Sequence, residues 1–172
     1  PLMYRVNLNS AVHAVAQVMD AEDILLVVVT SHGAPGVLST SFDELITRDV
    51  SPNDINAALE KAGGPNAILI LPACYSGSFA EELARPNRLI LTGADADSVS
   101  FGCNDQNEWT DWGRAFFVDA FGQTNDPREA ARLAQALVAA LEEEQGLPPS
   151  SPMIVEGSDV GRILDAWLAE LD

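Results

Sequence analysis

Two short stretches of the chain carry residue types capable of covalent chemistry. Thr30-Ser31-His32-Gly33 closes one apolar run, and Pro72-Ala73-Cys74-Tyr75-Ser76-Gly77 closes another. A thiol with a pKa of about 8.5 is only partly ionised at neutral pH, and a neighbouring imidazole can take its proton and stabilise the thiolate. Acyl transfer also needs donors for the oxyanion that forms at the attacked carbonyl. The backbone N–H groups of Cys74 and Gly33 are candidates, and Gly33 has no side chain to obstruct a substrate carbonyl. Gly77 permits a tight turn from strand into helix, whose N-terminus would add positive partial charge beside the thiol.

For this chemistry the two stretches must meet in space. Three apolar runs, Asp23 to Thr30, Ala67 to Leu71 and Arg88 to Thr92, are short and rich in Val, Ile and Leu. Their apolar residues are consecutive, not alternating, as expected of parallel strands covered on both faces. Helical segments separate them. Ser51, Pro52 and Asp54 open a helix that ends at Gly63-Gly64, and Asn9 to Met19 carries Val12, Val15, Ala16 and Met19 at helical spacing. Asp126, Pro127 and Glu129 open a long helix, closed by Gly146, whose apolar face is read as Leu133, Ala136, Leu137, Ala140 and Leu141. A last helix, from about Asp159 to Leu171 and capped by Ser158, should bury Ile163, Leu164, Trp167 and Leu168. Gly77 to Leu83 and Trp112 to Phe121 suggest two more helices, and Met153 to Val155 a short strand. Alternating strands and helices predict an α/β fold, an open and mostly parallel sheet with helices on both faces. In such a sheet the binding crevice lies beyond the carboxyl ends of the strands. If the first two strands are parallel neighbours, His32 and Cys74 emerge on the same rim.

Composition narrows the partners. At 172 residues and 47% hydrophobic, the chain fits one globular domain. Nine basic against twenty-six acidic residues give a net charge of -17, which repels nucleic acid and anionic lipid surfaces. No apolar run approaches the roughly 20 residues of a membrane span. Pro1 to Ser10 lacks an apolar signal core. Two cysteines are too few for a disulfide scaffold, and two histidines and two cysteines at scattered sites do not make a zinc site.

Single residues also have plainer readings. A lone histidine commonly sits in a turn, and a free cysteine is commonly a small buried hydrophobe. The pairing of His32-Gly33 with a cysteine in a polar turn favours catalysis. Cys103 keeps the plain reading, a thiol packed under the loop that bounds the pocket. His13 reads as a surface or core-edge residue, Asp95 and Asp97 as solvated loop acids, and Glu142 to Glu144 as an exposed helix end. Trp109 and Trp112 suit either a substrate groove or the core.

Ser-His-Gly after one strand and Ala-Cys-Tyr-Ser-Gly after the next resemble the legumain-like (bacterial) cysteine peptidases of the caspase, gingipain and separase group. Thr92 to Cys103 and Thr110 to Phe117 also resemble bacterial members, and the similarity runs from about Asn9 to Trp167. The resemblance implies a caspase-like fold, His32 and Cys74 as the catalytic dyad, and Gly33 with the Cys74 amide as the oxyanion hole. It implies peptide or protein substrates, with no metal or organic cofactor. Ser31, Ala73, Asp97, Ser100 and Arg114 become candidates for the substrate pocket. Ser100 matches a pocket serine of the family, whereas Pro72 and Arg114 stand where asparagine-specific legumains carry acids. The family's N-terminal strand has no counterpart here, which implies a preceding or separate segment of the same protein. The expectation is therefore a cysteine endopeptidase acting through a thioester acyl-enzyme. Its alternatives are a catalytically silent protein-binding module on the same fold and a peptide ligase using the same dyad.

Overall fold

The computed structural model describes residues 5–40, 48–104 and 107–171. In chain order they form α1 (Arg5–Ala16), β1 (Leu25–Val28), β2 (Gly33–Ala34), β3 (Val37–Leu38), α2 (Pro52–Lys61), β4 (Ala67–Leu71) and a 3-10 turn (Ser76–Phe79). There follow α3 (Ala80–Leu83), β5 (Arg88–Thr92), α4 (Asp111–Arg114) with a π-helical continuation (Ala115–Ala120), α5 (Pro127–Gln145), β6 (Ile154–Glu156) and α6 (Ser158–Ala169). The main sheet has the order β1-β4-β5-β6. β1, β4 and β5 are parallel, with Val28 opposite Ile70 and Leu71 opposite Thr92, while β6 runs antiparallel to β5. This is the expected α/β architecture, and its carboxyl rim carries both stretches singled out above.

Side-chain alternation along the central strands divides the core in two. Ala67, Leu69, Leu71, Ala73 and Ile90 pack with Val12, Ile55, Leu59 and Leu83 of α1, α2 and α3. Ile68, Ile70, Leu89 and Leu91 face Trp112, Phe116, Ala130, Ala134, Val138 and Leu164 on the other side. β4 and β5 are buried throughout, as a strand covered on both faces must be. β1 departs from the expectation. Leu26 and Val28 are 57% and 45% exposed on one face of β1, which is the sheet edge among the described residues, while Leu25 on the other face is buried with α1 and α2.

The helix limits follow local chemistry. Asp54 accepts from the Ser51 N–H at 3.0 Å ahead of Pro52, and Asp126 accepts from the Arg128 N–H at 2.8 Å ahead of Pro127. Gly146 ends α5 with φ 65°. Two faces differ from expectation. α5 buries Ala130, Ala131, Ala134 and Val138 instead of the leucine stripe, and Leu137 is 44% exposed. Small side chains let α5 lie close against the π-helical segment, which a row of leucines would hold off. In α6 the buried residues are Val160, Gly161 and Leu164, whereas Trp167 is 47% exposed. Gly157 occupies the cap position expected of Ser158. Glu142 is buried, not solvated, and both its carboxylate oxygens accept from the Ser150 N–H at 3.1 Å, which pins the loop before β6.

Candidate active site

Cys74 lies three residues beyond the end of β4, in a turn held by neighbouring loops. Tyr75 adopts the left-handed conformation, φ 55° and ψ 17°, and its N–H donates to Ser98 O at 2.8 Å. The reversal after the thiol therefore falls on Tyr75, a conformation that costs a non-glycine residue energy. Gly77 has a different function from the one expected. A Cβ there would lie 2.5 Å from the Asp95 carbonyl carbon and 2.6 Å from the Ala96 nitrogen, so glycine is required for the close approach of the loop after β5. Ser76, fully buried, ties the same loops together. Its hydroxyl donates to Ala73 O at 2.7 Å and accepts from the N–H groups of Gly93 and Ala94 at 3.1 and 3.3 Å. The segment after Cys74 is a four-residue 3-10 turn followed by a four-residue helix, too short for a substantial axial dipole.

The sulfur of Cys74 is half-buried and is held by Ser100. It donates to Ser100 O at 3.2 Å and accepts from Ser100 N–H at 3.3 Å. Among the described residues the Cys74 N–H meets no acceptor, which leaves a free donor next to the sulfur.

His32 and Gly33 reach this turn through a hairpin that the sequence did not signal. β2 and β3 pair as Gly33 with Leu38 and Ala34 with Val37, around a turn at Pro35-Gly36 in which Gly36 has φ 73°. Leu38, fully buried, exchanges hydrogen bonds with Val50, and the Ser31 hydroxyl donates to Ser39 O. The hairpin packs directly on the thiol turn. A Cβ on Gly33 would overlap the carbonyl oxygen of Cys74 and come within 3.1 Å of its carbonyl carbon. The space that the sequence reading reserved for a substrate is thus filled by the Cys74 backbone. At the tip, the Gly36 N–H donates to Ser78 Oγ at 2.9 Å, and that hydroxyl donates to Tyr75 O at 2.6 Å. His32 stands exposed on the same rim, and among the described residues its imidazole makes no hydrogen bond. Catalytic hydrogen bonds in ligand-free sites are often formed only when substrate arrives.

A peptidase C13 family model matches residues 7–145. The chain belongs to the peptidase C13 family. This is the legumain family, and the chain is a cysteine-type peptidase of that group. Its fold resembles caspase-1 from Spodoptera frugiperda, with a TM-score of 0.61 and 17% identity, over 91% of this chain and 70% of the caspase chain. No curated protein sequence matches it significantly.

In this C13 peptidase a cleft of about 400 Å³ opens beside His32, and Cys74 is not among its described lining residues. Thr30, Ser31 and His32 line it, with Pro72 and Gly113, and with Gly102, Cys103, Asn107, Glu108, Trp109 and Thr110 of the segment after β5. Of the sequence candidates for substrate binding, Ser31 lines the cleft. Ala73 is buried under the turn, and Ser100 is buried and meets the sulfur through its backbone. Asp97 is exposed outside the cleft, and Arg114 points to solvent with its Nε 3.7 Å from Asp119. Trp109 lines the cleft, while Trp112 is core, stacked on Phe116 with ring centroids 5.0 Å apart. Glu108 is the only carboxylate among the described lining residues, and no motif distinguished it in the sequence. Ser76 was legible only as a member of a polar turn, and Ser78 only as part of a helix from Gly77 to Leu83.

Cys103 also borders the cleft. Its thiol donates to Ser100 O at 3.3 Å, the carbonyl that Cys74 uses. Burial, the neighbouring Cys74 and Asp111 together push the Cys103 pKa up to about 12. Burial, together with the charge of Glu142, holds the Asp111 carboxyl above the ordinary range.

Proposed function

We propose that the chain hydrolyses internal peptide bonds with Cys74 as nucleophile and His32 as general base. The observation that carries this reading is the packing of Gly33 against the Cys74 carbonyl, which brings the residue after the histidine into contact with the residue bearing the sulfur. The imidazole removes the thiol proton as the sulfur attacks the scissile carbonyl, and returns it to the leaving amine. The N–H groups of Gly33 and Cys74 hold the oxyanion, and water then releases the acyl group from the thioester. Ser100 N–H, 3.3 Å from the sulfur, holds it in position at the turn. Peptide or protein substrates fit both family membership and an open cleft.

Competitive labelling tests the assignment. A peptide acyloxymethyl ketone should modify Cys74 far faster than Cys103, and His32→Ala should abolish the difference while the protein stays folded by circular dichroism. Equal, slow labelling of both thiols would remove the catalytic reading and leave a silent relative that binds protein through the same cleft. A peptide library then separates hydrolysis from ligation, because water and amine nucleophiles give products of different mass.

A further inference from the structure

The second thiol is a feature that peptide hydrolysis does not use. Cys74 and Cys103 donate to one carbonyl oxygen, Ser100 O, at 3.2 and 3.3 Å. Two groups on one acceptor cannot be further apart than those two bonds laid end to end. Both cysteines are free and half-buried, and Cys103 borders the open cleft.

We propose that Cys74 and Cys103 form a reversible intramolecular disulfide when the protein meets a hydroperoxide, with Cys74 as the attacked thiol and Cys103 as the resolving one. The chemistry balances in two steps. The Cys74 thiolate attacks the O–O bond and becomes a sulfenic acid, and the peroxide leaves as an alcohol, or as water from hydrogen peroxide itself. The Cys103 sulfur then displaces hydroxide from the sulfenic sulfur, which leaves as water with the Cys103 thiol proton. Two electrons pass from the two thiols to the peroxide, and a dithiol reductant reverses the bond.

The surroundings assign the two roles. Ser100 N–H donates to the Cys74 sulfur at 3.3 Å and positions it at the turn. Cys103 is kept protonated by burial and by the adjacent Cys74 and Asp111. Cys103 lies in the loop closed by Asp111 N–H to Phe101 O, 3.0 Å, and the Cys74 turn is held by Tyr75 N–H to Ser98 O, 2.8 Å, so Cys103 has to shift within its loop to reach S–S bonding distance. Such a bond would occupy the nucleophile and protect it from irreversible oxidation. The inference stands on the two thiols and not on the peptidase reading, because its readout is the bond itself.

The test treats the reduced, full-length chain with a small excess of hydrogen peroxide, alkylates the remaining thiols and maps the digest without reduction. The expected product is one peptide pair joining Cys74 to Cys103 within a single chain, lost on adding dithiothreitol. In Cys103→Ala and Cys103→Ser, checked for folding by circular dichroism, Cys74 should instead trap dimedone. It should then pass to sulfinic acid roughly tenfold faster than in the wild type. Two alkylatable thiols after peroxide, a bond only between separate chains, or equal irreversible oxidation with and without Cys103 would each overturn the proposal. Mapping the wild-type bond needs no variant, so a misfolded substitution does not rescue it.

Discussion

The place where a side chain on Gly33 would begin is already occupied by the carbonyl oxygen of Cys74. Backbone packs on backbone at this contact, and neither partner can move aside as a flexible side chain would. Gly33→Ala must therefore push the hairpin away from the thiol turn. Forcing an extra carbon into a closed contact costs about 1–3 kcal/mol, and the denaturation midpoint should fall accordingly. Turnover of a peptide substrate should fall further than this loss explains, since the displaced residue is next to His32. A variant as stable and as active as the wild type would show that the hairpin is free to relax.

The hairpin tip has a second attachment that does not touch the chemistry. Ser78 Oγ lies between Gly36 N–H and Tyr75 O, at 2.9 and 2.6 Å. Ser78→Ala leaves two backbone groups seeking other partners at a partly buried site, a loss of about 1 kcal/mol. Peptidase activity should drop by a few-fold, with faster amide exchange at Gly36 as the local signature. Exchange unchanged at Gly36 would mean that β2 and β3 hold their own register.

Some of this site was legible in the residues and some was not, for identifiable reasons. β4 and β5 matched their apolar runs residue for residue, because a strand buried on both faces is apolar at consecutive positions, and in β5 only the end residues Arg88 and Thr92 are polar. The rim position of His32 and Cys74 followed from the parallel order alone. The β2–β3 hairpin escaped because two-residue strands have no periodicity, and only Pro35-Gly36 marks the turn. The face of α5 was misjudged for a packing reason. Leucines at helical spacing suggested the buried stripe, yet close approach to the π-helical segment selects Ala130, Ala131 and Ala134. Glu142 sits among acids and reads as solvent-facing, and only the fold brings Ser150 N–H to it. The shared carbonyl of Cys74 and Cys103 is a tertiary coincidence of residues 29 positions apart that no local pattern encodes.

The histidine can be tested by how its loss divides between binding and turnover. His32 is exposed at the cleft wall, with no hydrogen bond holding it among the described residues, so His32→Ala removes little packing. Stability should stay within roughly 0.5 kcal/mol of the wild type, as for a surface substitution. The kcat should fall by about 10²–10⁴, the usual contribution of a general acid–base, while KM changes little. A rise in KM at unchanged kcat would make His32 a substrate contact and not the base.

Arg128 offers a stability test far from the chemistry. Its guanidinium joins Asp126 at 2.8 Å, Glu156 at 2.9 Å and Asp165 at 2.7 Å, tying the start of α5 to β6 and α6. Burial works against the Asp126 carboxylate, but the hydrogen bonds from Arg128 outweigh it and hold the carboxyl below its ordinary value. The bonds to Asp126 chiefly, opposed by burial and helped by Glu156 and Asp165, raise the Arg128 pKa. For the depressed acid, the stabilisation is present in full above the unfolded pKa of about 3.9, and is lost as pH falls through the folded value. For the raised base it is lost only at extreme alkalinity, outside any practical titration. Asp111 shifts in the opposite sense and gains stability on acidification, but it does so equally with or without Arg128. Arg128→Met should therefore cost about 2 kcal/mol at neutral pH, the worth of hydrogen bonds between charged groups. The exposed Asp165 contributes little of it. The gap between variant and wild type should begin to narrow as pH drops below about 4, where the unfolded state protonates, and close only when Asp126 is protonated in the folded wild type as well. Urea unfolding of the two proteins between neutral and acid pH measures that gap, and a gap that stayed constant would mean the guanidinium acts through packing alone.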